Sequence, residues 1–211
     1  MEKLARRWAQ KIGDSQNAES EKVAVIAYGL TALLQLVCIF FSAVLLGCLF
    51  DFFWEAMIVF FSVGFLRRLI GGVHSGSFNG CLFLSVFCIA LFSALARYVL
   101  PLTGFWTACL VSGAIYLVAS LLIYRLAPVD SPNKPVRRPE KIKRLRRSAA
   151  AVMAAFILLT AIMLLMACRG TDCLTYLWAL DLSVLWQVCM LTSGGKRLIE
   201  TLDHLFKVPQ S

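Results

Sequence analysis

Apolar residues in this chain come in long unbroken blocks, not at the alternating period of a strand. No charged residue interrupts Val23 to Phe50, Tyr98 to Tyr124 or Ser148 to Cys168. A block of about 20 apolar residues crosses a hydrocarbon layer of about 30 Å as a helix. In lipid a helix also satisfies its own backbone hydrogen bonds. The pattern predicts six spans, at about 24–49, 52–69, 82–100, 104–126, 149–168 and 174–193. The second is the least regular: Glu55 lies inside it, and its uncharged part runs only from Ala56 to Leu66. The sixth carries Asp181 and Gln187. The expected fold class is all-α. It is a polytopic membrane protein with about six transmembrane helices and amphipathic interfacial helices at both ends, in a single domain over 1–211.

The flanking segments follow a different pattern. Leu4, Trp8 and Ile12 recur every four residues, with Arg6, Arg7 and Lys11 on other faces. Near the other end Leu198, Ile199, Leu202, Leu205 and Phe206 form a second helical stripe. Such helices lie in the membrane interface or pack on the protein's own spans, and both readings stand open here. The polar segment 1–22 shows no core of a cleavable signal peptide, so the first span is expected to act as its own insertion signal. The loop 128–147 opens with Pro128, Pro132, Pro135 and Pro139, which oppose helix until about Glu140. A basic run from Lys141 to Arg147 follows.

Composition agrees with burial in lipid: 60% of the residues are hydrophobic, against about 45–50% in a soluble domain. The net charge of +9 would fit nucleic acid were it not for where the charges lie. They cluster beside the spans, where they meet anionic lipid and set orientation. With the N-terminus in the cytoplasm, 19 of the 21 basic residues fall on the cytoplasmic side, all but Arg97 and Arg169. This bias supports an even number of spans in the cell membrane. Both termini, the loop 128–147 and the tail 194–211 are then cytoplasmic. The partners expected on this basis are membrane lipids and not nucleic acid.

The segment from Arg67 to Cys81 breaks the apolar pattern at that same face. It is polar and rich in glycine, and it holds His74, one of two histidines in the chain, seven residues before Cys81. A thiol and an imidazole in one short loop point to nucleophilic catalysis, with His74 as the base that takes the thiol proton and later returns it to a leaving amine. In one straight helix, residues seven apart are separated by about 10.5 Å along the axis. The chain must therefore bend between the two, which the intervening glycines permit. Cys81 would stand at the start of the third span, where a helix N-terminus favours negative charge.

Other readings bear on the same residues. Gly72, Gly76 and Gly80 have the spacing of a helix-packing stripe, but His74, Ser75, Ser77 and Asn79 make the segment too polar for a mid-bilayer seam. One histidine and one cysteine are too few ligands for zinc, and no CxxC or HxxxH completes a set; no metal and no cofactor is expected. Asn79, Glu55 and Asp181 are the candidates for a third catalytic group. Glu55, Asp181 and Gln187 within spans also fit a peptide transporter, and the glycine stripe fits a membrane scaffold. Cys168 and Cys173 flank a predicted outer loop and are a candidate disulfide, although no dense cysteine framework surrounds them. The other cysteines are expected to be packing residues, and His204 a surface residue of the tail helix.

The cassette resembles the accessory gene regulator B family, membrane peptidases of Gram-positive quorum-sensing systems. The match lies in Arg67, Gly72, His74 and Cys81, with the His-to-Cys spacing of seven. The stretch from Pro128 to Pro135 also looks like the family's proline- and lysine-containing loop, and length and span number agree. The resemblance implies a cysteine endopeptidase with a Cys81–His74 dyad acting on a short autoinducer precursor. The precursor is cleaved through an acyl-enzyme thioester and cyclised into a thiolactone or lactone. It further implies supporting roles for Arg67 and Gly72, to which Asn79 is added for its closeness in sequence to Cys81. Lys134, Arg137 and Arg138 would receive the precursor's acidic C-terminal tail, and the protein would be a homodimer.

Overall fold

Every predicted block is helical. A computed structural model describes residues 2–15, 19–72, 78–127 and 139–205, and it contains no strand among them. The helices in chain order are α1 (Glu2–Ser15), α2 (Ser20–Leu49), α3 (Phe53–Ile70), α4 (Phe78–Ala94), α5 (Phe105–Leu126), α6 (Pro139–Cys168), α7 (Leu174–Cys189) and α8 (Ser193–Leu205). The chain is an all-α polytopic membrane protein. By length and composition alone, four helical segments among the described residues qualify as membrane-crossing: α2, α4 with its extension, α5 and α6. Counting the bent pair of α7 and α8 as one span gives a fifth.

The departure from six has a physical cause. Helix α3 has 18 residues and carries Glu55, Arg67 and Arg68, while α7 has only 16 and carries Asp181 and Gln187. These two pack side by side at the centre of the bundle, and their faces are the most buried in the protein. A helix enclosed by other helices does not need an apolar surface all round. The long apolar helices α2 and α6 are peripheral and mostly exposed, as a lipid-facing surface requires. Hydropathy therefore identifies the outer wall more readily than the centre.

Two apolar clusters hold the bundle. One gathers Leu66, Ile70, Tyr116, Ile123, Met153, Val184 and Leu191 from α3, α5, α6 and the α7 end. The other gathers Phe52, Ala56, Val59, Ile89, Ala96, Ala108, Leu177 and Trp178 at the opposite end. The ends of α3 and α5 and the starts of α4 and α6 share one end of the bundle with α8. At the other end Arg97 Nη2 meets Asp51 Oδ2 at 3.0 Å, and Arg97 Nη1 lies 3.7 Å from Oε1 of buried Glu55. The Tyr98 hydroxyl donates to the Phe50 carbonyl beside them. This clamp sits on the extension of α4, a π turn (Leu95–Val99) followed by a 3₁₀ turn (Leu100–Thr103). Pro101 explains the change of winding, because it cannot donate to the Arg97 carbonyl and crowds it.

Several boundaries differ from expectation in informative ways. Helix α6 begins at Pro139, ten residues before the predicted span, so the basic run forms its first turns. Proline is well tolerated at a first helical position. The Arg146 guanidinium donates from Nε to the Ala127 carbonyl at 3.0 Å, which ties α6 to the end of α5. Cys168 and Cys173 are both free thiols, one exposed and one buried, so the candidate disulfide is not formed.

The terminal helices follow both of the readings left open. Helix α1 buries Ala5 and Ala9 against the protein and leaves Leu4, Trp8 and Ile12 exposed. Helix α8 buries Ile199 and exposes Leu198, while Phe206 lies outside the described residues. The α7–α8 junction bends by 88°. That bend needs Gly195: a Cβ there would stand 2.4 Å from the Cys189 carbonyl oxygen and 2.8 Å from Met190 Cα. We expect Gly195→Val to lift α8 from the bundle at a cost of about 2–3 kcal/mol while α2 to α7 stay assembled. Limited trypsinolysis at Lys196 and Arg197 in nanodiscs, faster in the variant than in the native protein, is the readout.

Candidate active site

Cys81 is the fourth residue of α4, in its first turn, as expected from the break in the apolar pattern. It is half-buried and free. Arg67 lies in the last turn of α3, where a cation complements the helix dipole. Its guanidinium is within electrostatic range of the Cys81 thiol and the Tyr28 hydroxyl. Arg68, one residue on, faces outward. Of the residues singled out in the sequence, Arg67 and Cys81 are brought together. Both line one cavity of about 210 Å³, bordered by α2, α3 and α4 with Trp186 of α7, Met190 just after that helix and Ile199 of α8.

His74 lies outside the described residues, as do Lys134, Arg137 and Arg138. The entry to the His74 segment is described and is tightly specified. The backbone at Gly71 and Gly72 has φ of +78° and +134°, both in the region that disfavours side chains. The Gln187 side-chain amide, fully buried on α7, donates to the Gly71 carbonyl at 2.8 Å. A Cβ on Gly72 would come within 3.4 Å of Gln187 Nε2. Gly72 is thus a point of close approach between this turn and α7, not a member of a helix-packing stripe.

Asn79 is exposed and does not line the cavity. The two intramembrane carboxylates do not reach Cys81 either. Glu55 is twelve residues before Arg67 on α3, about 18 Å away along the axis, and belongs to the Arg97 clamp. Asp181 accepts a hydrogen bond from the Ser112 hydroxyl on α5. Beside it the Thr160 hydroxyl donates to Tyr116 at 2.9 Å. Glu55, Asp181 and Gln187 thus each meet a different partner, while Glu55 Oε1, Asp181 Oδ1 and Gln187 Oε1 accept no hydrogen bond among the described residues. Among the described residues no three His, Cys, Asp or Glu side chains converge as metal ligands would.

A second cavity, of about 260 Å³, lies on the other side of α4, with Gly80, Phe83, Leu198 and Asp203 in its wall. Both cavities share Leu84, Cys88, Phe92, Trp186 and Ile199. Helix α8 thus closes the Cys81 end of the bundle from below. Three features of the site were not anticipated: the hold of Gln187 on Gly71, the cover by Ile199, and Gln35, which projects from α2 into the first cavity. Gln35 carried a visible signal, being the one side-chain amide in the uncharged block from Val23 to Phe50.

The sequence matches the family model described as Accessory gene regulator B over residues 5–191. The chain is 26% identical over 208 residues to putative AgrB-like protein 2 of Clostridium perfringens (strain 13 / Type A), covering 96% of both chains. It is 27% identical to the putative AgrB-like protein of Clostridium perfringens (strain SM101 / Type A), again over 96% of each. A putative AgrB-like protein of Halalkalibacterium halodurans is 27% identical over 97% of this chain and 93% of its own. No solved structure matches. With nearly the whole length matched, the chain belongs to the accessory gene regulator B family, and its role lies in the accessory gene regulator quorum-sensing system.

Proposed function

We propose that this protein is a membrane cysteine endopeptidase that cleaves a short autoinducer precursor and closes the retained part into a ring. The observation that carries this reading is Cys81 in the first turn of α4, sharing a cavity with Arg67. The Cys81 sulfur attacks the scissile carbonyl carbon, and His74 takes the thiol proton. Arg67 offers a cation beside the negative charge that develops on the carbonyl oxygen. Collapse breaks the C–N bond, His74 gives the proton to the leaving amine, and a thioester remains on Cys81.

A cysteine or serine within the acyl segment then attacks that thioester. Its new bond to the carbonyl carbon replaces the bond to Cys81, and its proton passes through His74 back to the Cys81 sulfur. The product is a thiolactone or a lactone. Ring closure competes with hydrolysis, so water must be kept from the thioester, and the apolar walls around Cys81 favour that exclusion. No cofactor takes part. Lys134, Arg137 and Arg138 complement an acidic C-terminal tail of the precursor. The distribution of basic residues supports a cytoplasmic location for this site and both termini, and the family resemblance supports a homodimer.

Cys81→Ser and His74→Ala should each lower tail release by at least about a thousandfold, with the variants still inserted and folded. Mass spectrometry of co-reconstituted precursor is the readout: the native protein should yield the tail and a product lighter by one water than the linear fragment. Retained processing by either variant sinks the mechanism and moves weight to a transporter or scaffold. Gly72→Ala and Gln187→Leu loosen the turn leading to His74. Each is expected to reduce kcat by about tenfold or more with little change in KM, measured against thermal stability in the same nanodiscs.

A further inference from the structure

The cavity that Cys81 opens onto extends well beyond the thiol. Along α4 its lining runs from Cys81 through Ser85 and Cys88 to Phe92, about 16 Å at the helical rise. Apart from Arg67 near the thiol, the walls are chiefly apolar. A dry apolar cavity of about 150 Å³ accepts a benzene-sized molecule, so about 210 Å³ has room for a large side chain. Two details show that the space is more than a packing gap. Gln35 Nε2 is buried in it with no hydrogen-bond partner among the described residues, and an unpaired buried donor is costly enough to need a reason. On the facing helix, a Cβ at Gly64 would meet nothing within 4 Å, so the wall there is open because a side chain is missing.

We propose that this cavity is the subsite for a large apolar side chain of the precursor on the acyl side of the scissile bond, with Gln35 donating a hydrogen bond to a backbone carbonyl of that segment. The occupant rests on the cysteine-peptidase reading. Charge decides which side of the bond enters: an acidic tail cannot be desolvated among these walls without a large penalty, whereas an apolar acyl segment can. A peptide advances about 3.3 Å per residue when extended. A carbonyl two or three residues from the one attacked by Cys81 therefore falls at the depth of Ser85 and Cys88, which line the same cavity as Gln35. Held in this way, the acyl segment stays in place after the tail leaves, as ring closure requires.

The test separates the cavity from the peptidase activity. Full-length protein in nanodiscs is alkylated with N-ethylmaleimide and with N-benzylmaleimide, and modification of Cys81 is followed by mass spectrometry. The exposed thiols Cys48 and Cys168 serve as controls for partitioning of the probes into lipid. Gly64→Leu adds a side chain to this wall at a position whose Cβ meets nothing within 4 Å, so benzyl modification of Cys81 should slow by about tenfold while ethyl modification changes less than about twofold. Equal slowing of both probes, or of neither, overturns the subsite. In the second arm Gln35→Leu should raise KM for a synthetic precursor by about tenfold with kcat nearly unchanged, and Gln35→Asn should restore part of it. An unchanged KM removes Gln35 from the proposal. If the native protein leaves the precursor intact, the peptidase reading falls, and the maleimide result still decides whether the cavity accepts a ring.

Discussion

Inside a bilayer a polar group finds its partner within the protein or is costly to keep, and this fold is organised around that constraint. Its two polar helices, α3 and α7, are placed at the centre and surrounded by apolar ones. Three of the groups they carry meet local partners: Glu55 with Arg97, Asp181 with Ser112, Gln187 with the Gly71 carbonyl. The last of these contacts matters most for the site. It converts a buried amide of one central helix into a fixed starting point for the segment that leaves the other.

The same arrangement brings Arg67 and Cys81 together. Arg67 ends α3 and Cys81 begins α4, and the two helices are neighbours across one short connection. Sequence separation of fourteen residues thus becomes proximity at one end of a cavity. The opposite end of the bundle is built differently, with an ion-pair clamp on a rewound helix.

Much of this was legible in the chain. The uncharged blocks marked the outer helices because lipid contact demands an apolar surface all round. The polar segment from Arg67 to Cys81 marked the candidate site because such a segment has no place in hydrocarbon. What was not legible depends on contacts between distant residues. That Gln187 binds the turn at Gly71 is a pairing across 116 positions, which no local pattern encodes. Asp181 and Glu55 looked available to Cys81 only because sequence does not say which way a buried helix faces. Gln35 was visible as a lone amide in an apolar block, but its meaning came from the cavity that α3 and α4 complete. His74, Lys134, Arg137 and Arg138 remain readings from sequence and resemblance, since they lie outside the described residues.

Helix α2 carries an implication of its own. It has 30 residues, and its uncharged run from Val23 to Phe50 is 28 long, about 42 Å as a helix against a hydrocarbon layer of about 30 Å. Such an excess is absorbed by tilting or by local thickening of the bilayer. Because α2 is also the wall that bears Gln35, its inclination sets the width of the space behind Cys81. The thickness of the surrounding membrane is therefore a dimension of the site itself, and the lipid acts as a gauge block against which one wall of the chamber is adjusted.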